Sequence, residues 1–425
     1  MDKEERITKL LVLSYYWPPS GGAGVQRWLK LSKYLQALGV QVKIITVHPD
    51  CALYPQVDNG LSKESETLDV IKTKAFKFQM PGVKKVPFGG SLSPENPSLK
   101  FRIMKWVRGN VIFPDPRVGW NKYAFKEAQR LIKEEGFKHV VTTSPPHSTQ
   151  LIGLKLKEVF KDRIKWIADL RDPWTDIYYF SQLGIGPRML KRHRAAEKSV
   201  IEKSDLFLTV GQNLKEMYLA KANCSAEKGK VIYNGFDEKD FVDQTAKTNH
   251  TVADISYLGT IAESYNLTGF VEVLKNSATP LHLRFIGHVH PSWVEAIEKA
   301  KGRVHKVEWV NEVPHSDVSG YLNASKLLLL IIPEVVNNEC IITGKIFEYL
   351  RSGKKVLGIG PVKGDASLIL NETKAGKTFN YTDWKGMRSY IFDRLNSFPE
   401  SFDEMAVQKF SREEQAKVLR QIIFT

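Results

Sequence analysis

Short apolar runs that read as buried strands alternate along this chain with stretches whose apolar residues recur at helical spacing, and the alternation occurs in two series. The first series of strand-like runs covers 9–14, 42–47, 139–143, 165–170, 205–210 and 230–233, with helical patterns around 24–38, 121–135, 150–160 and 189–203. After a polar stretch at 243–249, strand-like runs resume at 254–258, 281–286, 304–310, 326–331 and 356–359. Alternation of this kind builds a parallel sheet covered by helices on both faces. The fold class expected is α/β, as two Rossmann-like doubly wound domains, 1–236 and 253–400, with a linker at 237–252. A last helix in 409–425 opens on Ser411-Arg412-Glu413-Glu414, a capping box, and is apolar at Val418, Leu419, Ile422 and Ile423. The Pro-, Gly- and Ser-rich stretch 51–100 carries no pattern that assigns it a fold.

Charge and composition narrow the partners. The formal net charge is +15, from 62 basic and 47 acidic residues, which favours phosphorylated metabolites or anionic lipid surfaces. Nucleic acid is not expected, because no zinc-finger, RNP or basic-zipper pattern is present. Read as a helix, 100–108 puts Ile103, Met104 and Val107 on one side and Arg102, Lys105 and Arg108 toward the other, the pattern of a membrane-surface helix. A second basic helix spans 188–198; the plainer reading of either is a solvated face. The longest strongly apolar run, 327–332, is too short to cross a bilayer, and the N-terminus reads poorly as a signal peptide. Cys51, Cys224 and Cys340 form neither a paired framework nor a metal spacing. A cytoplasmic protein, peripheral on the inner face of the membrane, is the expectation.

Two turns are suited to anions. Ser20-Gly21-Gly22-Ala23-Gly24 follows the first strand and opens a helix, where glycines let backbone N–H groups approach a ligand. It is not a dinucleotide fingerprint, since Arg27 stands where the third glycine belongs, and no Walker-type Gly-Lys-Ser/Thr follows. Over three hundred residues later, Thr343-Gly344-Lys345 opens a helix that carries Glu348 one turn in and ends at Gly353. Lys345 and the amides there suit a phosphate, and Glu348 is placed to accept hydrogen bonds from ribose-like hydroxyls. Ligands of open α/β sheets sit beyond the carboxyl ends of the strands, where Gly22, Gly24, Gly259 and Gly287 fall. Two such rims facing each other would form an interdomain cleft.

Several segments, in this order, carry a family resemblance. They are Ser14-Tyr15-Tyr16-Trp17-Pro18-Pro19 with the glycine turn, Thr142-Thr143-Ser144-Pro145-Pro146-His147, Asp169-Leu170-Arg171-Asp172-Pro173-Trp174, Val231-Ile232-Tyr233-Asn234-Gly235-Phe236-Asp237, Tyr257-Leu258-Gly259, and Gly344-Lys345-Ile346-Phe347-Glu348-Tyr349-Leu350. Together they resemble the retaining GT-B-type glycosyltransferases of family 4 over nearly the whole chain. The resemblance implies transfer of a sugar from a nucleotide-sugar to a glycan or lipid-linked acceptor in surface polysaccharide assembly. It also implies that the C-terminal helix packs back on the first domain. Carried over by position, Gly22 and Gly24 would lie against the donor diphosphate. Glu348 would hold the ribose, with Gly259, Thr343, Gly344 and Lys345 completing the donor site.

The chain departs from the family pattern at two places. The first glutamate of the family's pair falls at Cys340, one residue from Glu339, and the basic pair expected after Gly259 is replaced by Thr260-Ile261-Ala262-Glu263-Ser264-Tyr265-Asn266. Asp172, Asp169 and His147 are the acceptor-side candidates for catalysis. The plainer alternatives are a turn carboxylate and an ion-pair partner of Arg171 for Asp169 and Asp172, and an N-cap neighbour for His147. No cofactor beyond the nucleotide-sugar co-substrate and no metal are expected, in keeping with the absence of an Asp-x-Asp pair. His288 and His290 read as loop residues, and Trp106, Trp120 and Trp174 as packing. The rival from another class is a non-catalytic nucleotide-sugar-binding or scaffold protein that retains the fold.

Overall fold

The computed structural model describes residues 8–55, 57–58, 60–77, 98–241, 250–396 and 402–425. The chain divides into two compact units, Met1–Tyr233 with Gln415–Thr425, and Asn234–Glu414. Residues 242–249, the middle of the expected linker, lie outside the described residues.

Among the described residues, unit 1 holds seven strands: β1 (Lys9–Leu13), β2 (Gln41–Val47), β3 (Asp69–Thr73), β4 (His139–Ser144), β5 (Lys165–Leu170), β6 (Leu206–Thr209) and β7 (Gly229–Val231). They pair in the order β3-β2-β1-β4-β5-β6-β7, and every pairing is parallel. Side chains of β1 alternate across the sheet. Leu10 and Val12 enter one cluster with Trp28, Leu35 and Ile44; Leu11 and Leu13 enter another with Trp120, Val140, Ile152 and Leu156. Both faces are therefore covered, as a parallel sheet requires.

The helix Arg412–Phe424 places Ala416, Leu419 and Ile423 in the first of these clusters. Its C-terminal carbonyls of Ile422 and Ile423 accept from Lys165 Nζ at 3.3 and 2.9 Å, which caps a helix end that has no further amide to serve it. Gln415 Oε1 also accepts from the Tyr233 amide at 2.7 Å.

Unit 2 holds β8 (Ala253–Leu258), β9 (His282–Ile286), β10 (Lys306–Val310), β11 (Ser325–Ile331), β12 (Lys355–Ile359) and β13 (Gly376–Phe379) in the order β10-β9-β8-β11-β12-β13. All pairings are again parallel. Ile255, Tyr257, Leu283, Phe285, Leu327, Leu329, Leu357 and Ile359 form its main core. Within this unit, Phe236 pairs with Ser411, so the segment that enters it lies beside the segment that leaves. Each sheet reverses its winding once, between β1 and β4 and between β8 and β11, and ligands of such sheets sit beyond those strand ends.

Two strands escaped the sequence reading, β3 and β13. The stretch 51–77, which carried no legible pattern, contains a short helix, Gly60–Ser65, as well as β3. Residues 78–97 lie outside the described residues.

Candidate functional site

The glycine turn after β1 opens the helix Ala23–Ala37, with Gly22 as N-cap at φ 102°. That positive φ is the reason for a glycine here. At Gly24 the reason is space: a Cβ would lie 2.0 Å from Arg171 Nη1, so the guanidinium rests against the first turn of the helix. The first turn carries no acidic residue and no side-chain cap.

One turn on, Arg27 is 1% exposed. Its Nη2 donates to Asp169 Oδ1 at 2.9 Å, and its Nη1 to the carbonyl of Ile232 at 2.7 Å. Asp169 is 0% exposed, and its Oδ2 also accepts from Trp28 Nε1 and Thr143 Oγ1, each at 2.7 Å. The expectation that Asp169 faces an acceptor is corrected: its carboxylate is enclosed and engaged on both oxygens. Its ion-pair partner is Arg27, which ties the ends of β5 and β7 to the first helix.

Asp172 differs. No hydrogen bond reaches its carboxylate among the described residues, and burial pushes its pKa up, with Arg171 opposing and Asp169 adding to the rise. Its loop is firmly held. The Asp172 carbonyl accepts from Tyr218 Oη at 2.7 Å, and Thr175 donates through both its amide and its hydroxyl to the buried Glu197. Lys221 pairs with Glu197 at 2.8 Å and with Asp176.

His147 stacks on Trp174 with centroids 4.8 Å apart and planes 6° from parallel. Trp174 Nε1 donates to His193 Nδ1 at 3.0 Å. Burial, reinforced by His193 and Arg171, drives the His147 pKa down to about 3, so the ring is neutral at ordinary pH. A neutral ring is not the imidazolium form that a general acid uses, while one ring nitrogen stays open to accept a proton; its Nδ1 is buried with no partner. His147 stands at the N-cap position of the helix Ser148–Phe160, with no side-chain capping hydrogen bond.

These groups border a pocket lined by Tyr16, Arg108, Asp115, Arg117, His147 and Trp174, among others. Arg108 and Arg117 were not read as site residues. Arg108 belongs to the helix Leu99–Asn110, whose faces differ from expectation. Leu99, Ile103 and Trp106 are 70, 54 and 59% exposed, while Met104 and Val107 are half-buried. The outward stripe thus follows positions 99, 103 and 106, and Arg108 lines the pocket instead of a solvent face.

In unit 2, Gly259 follows the last residue of β8, with φ +112°. A Cβ there would lie 2.7 Å from Lys345 Cε, so only a glycine lets the lysine fold over this strand end. Lys345 Nζ donates to Tyr257 Oη at 2.6 Å and lies 4.2 Å from the centre of that ring. Burial lowers its pKa to about 8, and Glu348 pulls it partly back. Thr343 Oγ1, two residues before, is buried with no partner.

The helix Lys345–Arg351 is short, at 7 residues. The amides of Ile346 and Phe347 donate to the carbonyls of Thr343 and Gly344, so they are not open to a ligand. The lysine, not the helix opening as such, supplies the positive charge. Cys340 is 7% exposed and its neighbour Glu339 is exposed, so the carboxylate nearest the expected glutamate position faces outward. Asn266 Nδ2 donates to Glu334 Oε2 at 2.6 Å, joining the loops after β8 and β11. His288 and His290 lie in the loop after β9, and His290 Nδ1 contacts Ser292 Oγ at 2.8 Å. Among the described residues, no three His, Cys, Asp or Glu side chains cluster so as to hold a metal ion.

A family model, Glycosyltransferase Family 4, matches residues 21–240, more than half of the chain. The chain belongs to glycosyltransferase family 4. Comparison with curated proteins gives no match. Among solved structures, the lipopolysaccharide outer core galactosyltransferase WaaB in its apo form is similar, with a TM-score of 0.62 at 12% identity, over 98% of this chain and 99% of that one. Anabaena Alr3699/HepE in complex with UDP gives 0.60 at 12% identity over 98 and 99%. A structure described as trehalose-6-phosphate from E. coli bound with UDP-2-fluoro glucose gives 0.57 at 10% identity over 98 and 99%. The fold is that of the two-domain GT-B glycosyltransferases.

Proposed function

We propose that this family 4 protein moves a sugar from a nucleotide-sugar to a glycan or lipid-linked acceptor in cell-surface polysaccharide biosynthesis, with retention of anomeric configuration and without a metal. The observation that carries the reading is Lys345, folded over the end of β8 through the space that Gly259 leaves and held there by Tyr257. A cation fixed in place stabilises the charge that develops on a departing diphosphate without reorganising. Thr343 Oγ1 supplies a further unpartnered polar atom beside it. Glu348, one turn deeper, accepts from the ribose hydroxyls. The UDP complex of the Anabaena protein supports a uridine nucleotide.

In the reaction, the bond from anomeric carbon to phosphate oxygen breaks with its electron pair passing to the diphosphate. The acceptor oxygen bonds to the same carbon, and its proton goes to the departing phosphate. By the family resemblance Gly22 and Gly24 lie against the donor diphosphate through their backbone, with the Arg171 guanidinium packed on Gly24. Asp172, ionised, orients the acceptor hydroxyl or supports the oxocarbenium-like transition state.

The outward stripe of Leu99, Ile103 and Trp106, flanked by Lys100 and Arg102, supports peripheral contact with an anionic membrane on the cytoplasmic side. Among the described residues no helix is long and apolar enough to cross a membrane. Incubation with a panel of nucleotide-sugars, measuring nucleotide release with and without acceptors, tests the reading. Turnover on some pair upholds it.

One observation favours a second reading, a nucleotide-sugar-binding scaffold: the buried Cys340 in place of a glutamate. Tight donor binding with no release on any acceptor would select that reading.

A further inference from the structure

Among the described residues, the unit 1 pocket is lined by two arginines and a single carboxylate. Arg108 and Arg117 both line it. Arg108 forms no hydrogen bond or ion pair among the described residues, and burial together with the charge of Arg117 depresses its pKa. Arg117 donates from Nη2 to the Leu53 carbonyl at 3.2 Å and lies 5.9 Å from the Tyr16 ring centre, while its Nε is buried with no partner. The acid in the pocket is Asp115, and both its oxygens are engaged. Oδ1 accepts from the Arg117 amide and Ser148 Oγ, each at 2.9 Å, and Oδ2 from the Ser148 amide at 2.8 Å. Asp115 thus caps a short helical turn and the helix Ser148–Phe160, and it ion-pairs with neither guanidinium.

Two partly buried guanidiniums beside one carboxylate that is hydrogen-bonded elsewhere leave a net positive charge, which a bound anion would offset. The stacked rings of His147 and Trp174 border the same space, with His147 neutral, so they add an apolar wall and no countercharge. Guanidinium groups favour phosphate oxygens, which they can engage by paired hydrogen bonds.

We infer that this pocket holds a phosphoryl group of the acceptor, gripped by Arg108 and Arg117, so that the substrate class is a phosphate-bearing saccharide. The inference rests on the acceptor-side reading of unit 1. The phosphoryl group is carried either by a lipid or by a soluble sugar phosphate. The stripe on the outer face of the helix that bears Arg108 accommodates the first.

The test is calorimetric titration of inorganic diphosphate into the full chain already saturated with UDP, so that the donor site is filled. Wild type is expected to retain a diphosphate site, and Arg108→Gln and Arg117→Gln each to weaken it at least 10-fold. Arg117→Lys, which keeps the charge but not the fork, is expected to recover part of the loss. Thermal midpoints of the glutamine variants should equal or exceed that of wild type, because a repulsion has been removed. Titration with decyl phosphate against inorganic phosphate separates the sources. Tighter binding of the former identifies a lipid carrier, equal binding a soluble one, and both uphold the site. Absence of diphosphate binding to UDP-saturated wild type, or wild-type binding by both glutamine variants, overturns it. A chain that binds no UDP yet holds diphosphate through the two arginines would sink the transferase reading and leave the phosphoryl site standing.

Discussion

The switch points of the two sheets handle charge in opposite ways. In unit 1, Asp169 and Arg27 neutralise each other in the core, with Trp28, Thr143 and the Ile232 carbonyl completing the set. In unit 2, Lys345 lies on a tyrosine and forms no ion pair among the described residues. The first arrangement fixes a fold; the second keeps a cation desolvated and available. A motif match at a strand end therefore does not say which of these a charged residue serves. Its partners do.

The contrast is most exposed to test at Asp169. Removing one member of a buried, hydrogen-bonded pair leaves the other charge uncompensated, so Asp169→Ala is expected to lose about 3–5 kcal/mol of stability, read by urea unfolding. A stable Asp169→Ala protein with abolished turnover would instead make that carboxylate a reacting group.

Asp172→Asn should leave stability close to wild type and lower kcat about 100-fold, at the low end of what a positioned acid or base contributes. Donor affinity should not change. Because burial raises the Asp172 pKa, kcat of wild type should begin to fall with decreasing pH while still above the ordinary carboxylate range near ~4. A pH profile flat to that range would remove the role.

Lys345→Ala should weaken donor binding about 10- to 30-fold, the scale of a lost hydrogen bond to a charged group. Its linkage to stability has a definite sign. The folded-state pKa is about 8 against 10.5 for the free side chain, so between those values the unfolded chain holds more protons. Wild type should gain stability from this group as pH rises from 8 toward 10.5, and lose that contribution as pH falls through 8. Lys345→Ala should lack the increment when the two unfolding curves are subtracted.

The smallest effect is expected on the outer surface. Trp106→Glu should reduce partition onto anionic vesicles about 10-fold, consistent with ~1.5–3 kcal/mol for one large apolar side chain. Folding should be unchanged, because Trp106 is 59% exposed. Equal vesicle binding by variant and wild type would strip the helix Leu99–Asn110 of that role.

The central strands were legible because runs such as 9–13 and 165–170 are buried on both faces, which writes continuous apolar stretches into the sequence. The edge strand β3 has no fully buried residue and β13 is only 4 residues long, so neither leaves such a signature. At the sites, Gly259 and Lys345 could be found because a glycine after a strand and a lysine opening a helix are local features. The partnership of Arg27 with Asp169 spans 142 positions and has no local sign. Helical spacing alone also allowed two apolar stripes in 99–110. The one taken, through Ile103, Met104 and Val107, misdirected Arg108, because packing of the helix against its own unit decides which stripe is hidden.

Calorimetric titration of UDP into wild type and into Lys345→Ala, side by side at pH 7, bears most directly on the donor site. One equivalent should bind to wild type, with affinity reduced at least 10-fold in the variant. Equal affinity in the two proteins, or no UDP binding by wild type, would contradict the assignment.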